Sequence, residues 1–197
     1  MCYTKTASGR CMRASAGCRN LFYQNHCRIP CGIHSVFSNT FIFDAENDGK
    51  EGYLYSLVTT SIIQGIKSIP VYVEADVSDG MPLFEMVGSL SPEVKESKER
   101  VRTALKNTGY ILPPKRITIN FIPANIRKTG SGFDLPVVAA VLCAIGIVPE
   151  EALKNTMVVG EISLSGDVKP VNGILPMVAE AKERGVTRCI VPAENQT

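Results

Sequence analysis

The pattern of apolar and polar positions changes character near Leu54. From there onward, short runs rich in β-branched residues alternate with longer stretches of helical period, the signature of strands interleaved with helices in one α/β domain. Tyr55-Ser-Leu-Val-Thr-Thr-Ser-Ile-Ile and Ile69-Pro-Val-Tyr-Val-Glu-Ala-Asp-Val predict a strand pair turned at Gln64-Gly65. Leu83 to Val87 predicts a third strand after the turn residues Asp79-Gly-Met-Pro82. Ser91-Pro-Glu93 then reads as a helix start, because serine caps free amides, proline tolerates the first helical position and glutamate suits the positive end of the dipole. That helix is expected to run to about Asn107 and stop at Gly109, with Val94, Val101, Ala104 and Leu105 on one face and a Glu96–Arg100 pair outside.

Arg116 to Ile122 alternates as a further strand ending at Pro123. A loop, Ala124 to Gly132, leads into Phe133 to Ile145, which is apolar on almost every side and therefore predicts a buried helix. Met157 to Val168 predicts a hairpin turned at Ser165-Gly-Asp167, Leu175 to Gly185 an amphipathic helix, and Arg188 to Pro192 the start of another strand.

Before Leu54 no such period exists, apart from the apolar stretch Val36 to Phe43. Cys2, Cys11, Cys18, Cys27 and Cys31 and both histidines, His26 and His34, crowd into this first piece, against Cys143 and Cys189 in all the rest. The formal net charge of +2 also resides there, with 6 basic and 4 acidic residues before Leu54 and 15 of each from it onward. Three readings stand for residues 1–53: a small zinc module, a disulfide cluster, and a disordered or spurious N-terminal extension. Only the Cys27 to His34 cluster has ligand-like spacing, and disulfides would need an oxidising compartment. A near-balanced charge gives no whole-chain argument for nucleic acid or an anionic membrane. No run approaches the 18 or so apolar residues of a spanning helix, and the N-terminus lacks the pattern of a secretory signal, so the expected location is cytoplasmic.

The loop Arg127-Lys-Thr-Gly-Ser-Gly132 before a helix invites a phosphate-binding reading, since glycines permit close backbone approach and a helix N-terminus favours anions. A Walker A loop, however, needs lysine and a hydroxyl after its last glycine, and here Lys128 and Thr129 precede the glycines, with no GxxxxGK[ST] elsewhere. ATP binding by this chain is therefore not expected. The absence of histidine after His34 excludes Ser-His and Cys-His catalysis in the patterned piece, and no HExxH supports a catalytic metal. A Ser-Lys peptidase using Ser131 remains arithmetically open, beside the alternative of a serine in a glycine turn. Arg127 and Lys128 are the candidate contacts for phosphate or an acidic partner.

Tyr55-Ser-Leu-Val-Thr-Thr, Phe84-Glu-Met-Val-Gly-Ser-Leu, Glu93 to Arg102, Ile117-Thr-Ile-Asn-Phe-Ile-Pro-Ala-Asn, Lys128-Thr-Gly-Ser-Gly-Phe-Asp-Leu-Pro and Gly160-Glu-Ile-Ser-Leu-Ser-Gly closely resemble the N-terminal domain of the YifB/ComM family of magnesium-chelatase-like AAA+ ATPases. The resemblance covers about Leu54 to Thr197. It implies a fold like domain 2 of ribosomal protein S5, related to the proteolytic domain of Lon, here ending before the domain's last elements. It also implies a hexameric parent whose separate ATPase module, using ATP and magnesium, drives DNA branch migration during natural transformation. No membrane partner is implied. Superposing the Lon motifs puts Gly132 at the nucleophile position, Ser131 one residue early, and Leu175 at the position of the lysine base, so the resemblance implies a pseudo-peptidase with no catalytic, cofactor or metal residue in this chain. Family members begin with Met where Leu54 stands, which suggests a natural start at residue 54. Deleting residues 1–53 should then leave the thermal midpoint within about 2 °C.

Overall fold

The computed structural model describes residues 54–195. The zinc, disulfide and extension readings of residues 1–53 fall outside that range. Eight strands and four helices follow in chain order: β1 (Leu54–Gln64), β2 (Lys67–Ser78), β3 (Leu83–Val87), α1 (Pro92–Asn107), β4 (Arg116–Ile122), α2 (Asp134–Ala144), α3 (Glu150–Leu153), β5 (Thr156–Val158), β6 (Glu161–Ile162), β7 (Val168–Lys169), α4 (Ile174–Glu183) and β8 (Arg188–Ile190). Six strands form one mixed sheet in the order β3-β4-β2-β1-β5-β8, and β6 pairs with β7 in a separate hairpin. The β1–β2 and β2–β4 pairs are antiparallel, whereas β3–β4, β1–β5 and β5–β8 are parallel. This is the expected α/β class.

Strand alternation divides the core. Val58 on β1, Val71, Val73, Ala75 and Val77 on β2, and Ile117, Ile119 and Phe121 on β4 point to one face, where α1 and α2 cover them. α1 presents Val94, Val101, Ala104 and Leu105, the stripe its 3.6-residue period predicts. α2 is buried on nearly all sides, as an all-apolar helix must be, and Phe133 at its start meets Phe121 edge to face at 5.6 Å. Each such fully buried side chain contributes roughly 1.5–3 kcal/mol relative to exposure. A second, smaller core forms on the opposite face, where Met157, Val159 and Val171 meet Met177 and Ala181 of α4.

Three expectations are revised. Ser91 precedes α1, but its hydroxyl makes no capping hydrogen bond. Met157 to Val168 is not one hairpin: β5 enters the large sheet, and only β6 and β7 pair around the Ser163–Asp167 turn. Gly160 marks the break, because a Cβ there would come within 3.0 Å of Leu135 Cδ2 and 3.1 Å of Val168 Cγ1. The Glu96–Arg100 pair does not form either. Arg100 turns inward to Asp134 instead.

Candidate functional site

The β4–α2 loop carries the two cations singled out from the sequence, and its backbone separates them. Lys128 is held extended between Ser89 and Ser91: its N–H donates to Ser89 O at 2.7 Å and its carbonyl accepts Ser91 N–H at 2.9 Å. Successive side chains on an extended backbone point opposite ways, so Arg127 faces solvent while Lys128 turns inside and is 0% exposed. The Lys128 ammonium donates to the carbonyls of Phe121, at 3.2 Å, and Pro123. Burial pushes its pKa below the ordinary lysine value. A lysine committed to backbone carbonyls is an internal strap between the loop and the end of β4, and it does not offer its charge to a surface phosphate. This inward placement, together with the missing GxxxxGK[ST], also means that the loop does not fit a nucleotide phosphate cradle. Arg127 is left as the outward charge. It lies near Glu93, whose carboxyl is held below its usual range first by hydrogen bonding with Ser91, then by its own backbone amide and, more weakly, by attraction to Arg127.

The start of α2 is fixed by a buried charge that sequence reasoning missed. Asp134 is 0% exposed and receives Arg100 Nε at 2.8 Å and Nη2 at 3.0 Å, together with the backbone N–H of Ile162 at 3.2 Å. One carboxylate thus joins α1, α2 and β6, in the first helical turn where the dipole favours it. Gly132 O accepts Gly160 N–H at 3.1 Å and Gly160 O accepts Leu135 N–H at 3.0 Å, which laces the same turn to the β5–β6 connection. A lone acid in the first turn of an otherwise apolar helix was the available signal.

The start of α4 is built differently. Gly173 adopts φ 82° and a Cβ there would meet Ile63 Cγ1 at 2.7 Å, so glycine sets both the turn and the approach of α4 to β1. Two residues on, Leu175 stands 81% exposed. The segments leading into the two helices approach each other, since a Cβ built on Gly132 would contact Val171 Cγ1 at 3.7 Å. Ser131 is partly exposed. Lys128 Nζ points to the Phe121 and Pro123 carbonyls, and Lys169 Nζ lies 3.7 Å from Asp167. Among the described residues no group of three or more His, Cys, Asp or Glu side chains is arranged to hold a metal, and no helix is long and apolar enough to cross a membrane.

The family described as subunit ChlI of Mg-chelatase matches residues 73–195. The chain belongs to this magnesium-chelatase-like family, and its relatives within it include YifB and ComM proteins. The uncharacterized protein YifB of Escherichia coli is 38% identical over 141 residues, covering 72% of this chain and 28% of the relative. Competence protein ComM of Haemophilus influenzae is 35% identical over 128 residues, 65% of this chain and 25% of the relative. Lon protease 2 of Bacillus subtilis is 36% identical over 124 residues, 59% of this chain and 22% of the relative. The chain spans about a quarter of the length of these relatives.

Proposed function

We propose that this is a non-catalytic, Lon-like N-terminal domain of a magnesium-chelatase-like AAA+ protein. The observation that carries this is Leu175: at the helix start where a Ser-Lys peptidase of Lon type needs its base, an apolar side chain stands in solvent. A leucine has no proton to exchange, and the buried Lys128 is committed to the Phe121 and Pro123 carbonyls. The similarity to Lon protease 2 supports a shared scaffold, and the residues at the two positions support its separation from the chemistry. ATP and magnesium belong, in this reading, to a separate ATPase module of a hexameric, cytoplasmic parent. The name of the ComM relative, a competence protein, supports a role for that parent in remodelling DNA by branch migration. Arg127 is the residue of this domain best placed to touch a phosphate.

Casein cleavage by the chain and by its Ser131→Ala variant tests the first part. Equal background rates are expected, and a rate that falls on substitution returns the molecule to the peptidases. Calorimetric titration with Mg-ATP should be flat. Arg127→Glu in the full-length parent should weaken DNA binding in a salt-dependent way, whereas unchanged affinity at low salt removes this loop from the DNA path.

A further inference from the structure

The face of β3-β4-β2-β1 opposite α1 and α2 has no helix over most of its width among the described residues. α4 covers only one end of it, where Ser61 Oγ meets Glu180 at 3.4 Å and Arg184 reaches Tyr72 Oη at 3.5 Å. The strand registers order the rest into transverse rows. Tyr55, Asp76, Thr118 and Glu85 lie across from one another, as do Leu57, Glu74, Asn120 and Val87, and then Ser78, Arg116 and Leu83. The apolar members fall at the two sides: Tyr55 and Leu57 on β1, 50% and 44% exposed, and Leu83 and Val87 on β3, both exposed. Glu74 and Asp76 lie between them on β2.

The charges in this trough are set, not loose. Glu74 accepts Tyr55 Oη at 2.7 Å on one oxygen and Asn120 Nδ2 at 2.8 Å on the other, so its carboxylate is fixed in place across three strands. The same bond to Glu74 heads the causes that push the Tyr55 phenol up to about 12. Glu85 is matched by Arg116 at 2.9 Å, while Asp76 is exposed and enters no ion pair among the described residues. The surplus on the face is negative. Three inter-strand steps separate the apolar flanks, roughly 14 Å at 4.7–4.9 Å each, and an α-helix with its side chains is about 10–12 Å across.

From this arrangement we infer that the open sheet face docks a cationic amphipathic helix of a partner protein, with Lys or Arg side chains over Glu74 and Asp76 and apolar side chains against Tyr55 and Leu57 on one flank and Leu83 and Val87 on the other. Charge complementarity selects the occupant: a phosphate backbone would meet the wrong sign here, and an apolar helix without cations would leave Asp76 unpaired against it. Tyrosine and aliphatic anchors around fixed polar groups are the composition of interface cores. The surface is separate from the Arg127 loop, so it stands or falls independently of the DNA reading.

The probe is a fluorescently labelled helical peptide of about five turns whose docking face carries a lysine stripe between two leucine stripes, titrated into the whole 197-residue chain with anisotropy and backbone amide shifts as readouts. The expected result is saturable binding that weakens with salt, shifts concentrated at Tyr55, Leu57, Glu74, Asp76 and Thr118, and a loss of about tenfold or more in affinity for Asp76→Lys and for Leu57→Glu. Both substitutions are at exposed strand positions, and circular dichroism confirms that the variants are folded. Affinity unchanged by Asp76→Lys, shifts mapping elsewhere, no binding at all, or a DNA duplex perturbing the same amides would each overturn the proposal.

Discussion

Two helix starts in this domain are held by opposite means. At α2 the chain is locked by electrostatics: a carboxylate with no solvent exposure, a guanidinium reaching it from α1, and an amide from β6. At α4 the lock is steric, a left-handed glycine pressed against Ile63, and the side chain that follows is free in solvent. The contrast shows where the fold constrains sequence. Around Asp134 nearly every atom is spoken for, whereas at Leu175 nothing in the domain requires a particular residue. On the proposed reading, a catalytic base could be absent from the second position without cost to the fold.

Breaking the electrostatic lock should have the largest effect. Arg100→Ala strands Asp134 as a buried, unpaired carboxylate, and a loss of about 3–5 kcal/mol is expected in urea unfolding. Asp134→Asn removes the charge along with its need for a partner and should cost clearly less. If the two substitutions were equally mild, the pair would not be what holds α2. Next is the steric lock. Gly173→Ala forces a non-glycine residue into the left-handed region and displaces Ile63, for a loss of about 1–3 kcal/mol. A thermal midpoint equal to that of the parent chain would show that α4 can approach β1 another way. Smallest is Leu175→Lys, which should stay within about 0.5 kcal/mol because the side chain contacts little. A larger loss would mean that Leu175 packs against something beyond the described residues.

How far the sequence reveals these features depends on how local their causes are. α1 is legible from Pro92-Glu93 and the spacing of Val94, Val101 and Leu105, because a first-turn proline and acid and an amphipathic period are properties of a short segment. The burial of α2 follows from composition alone. The partner of Arg100 does not, since Glu96 one turn away is the local candidate and Asp134 comes from 34 residues downstream. The inward turn of Lys128 depends on the bridge its backbone makes to the segment after β3, a long-range pairing with no mark in the loop's composition. Gly160, read as part of a strand, splits β5 from β6 because of what packs against it. At the candidate site, Gly132 and Leu175 were legible as positions, but the exposure of Leu175 required the packing of α4 to be seen.

Labelling by a fluorophosphonate, located by peptide mass spectrometry, tests the central claim of a Lon-like scaffold without peptidase chemistry. The account predicts no label on Ser131 above the level found in the unfolded chain, since Leu175 stands where the base is needed and Lys128 is committed to backbone carbonyls. Stoichiometric labelling of Ser131 in the folded chain, abolished by Ser131→Ala, would contradict it.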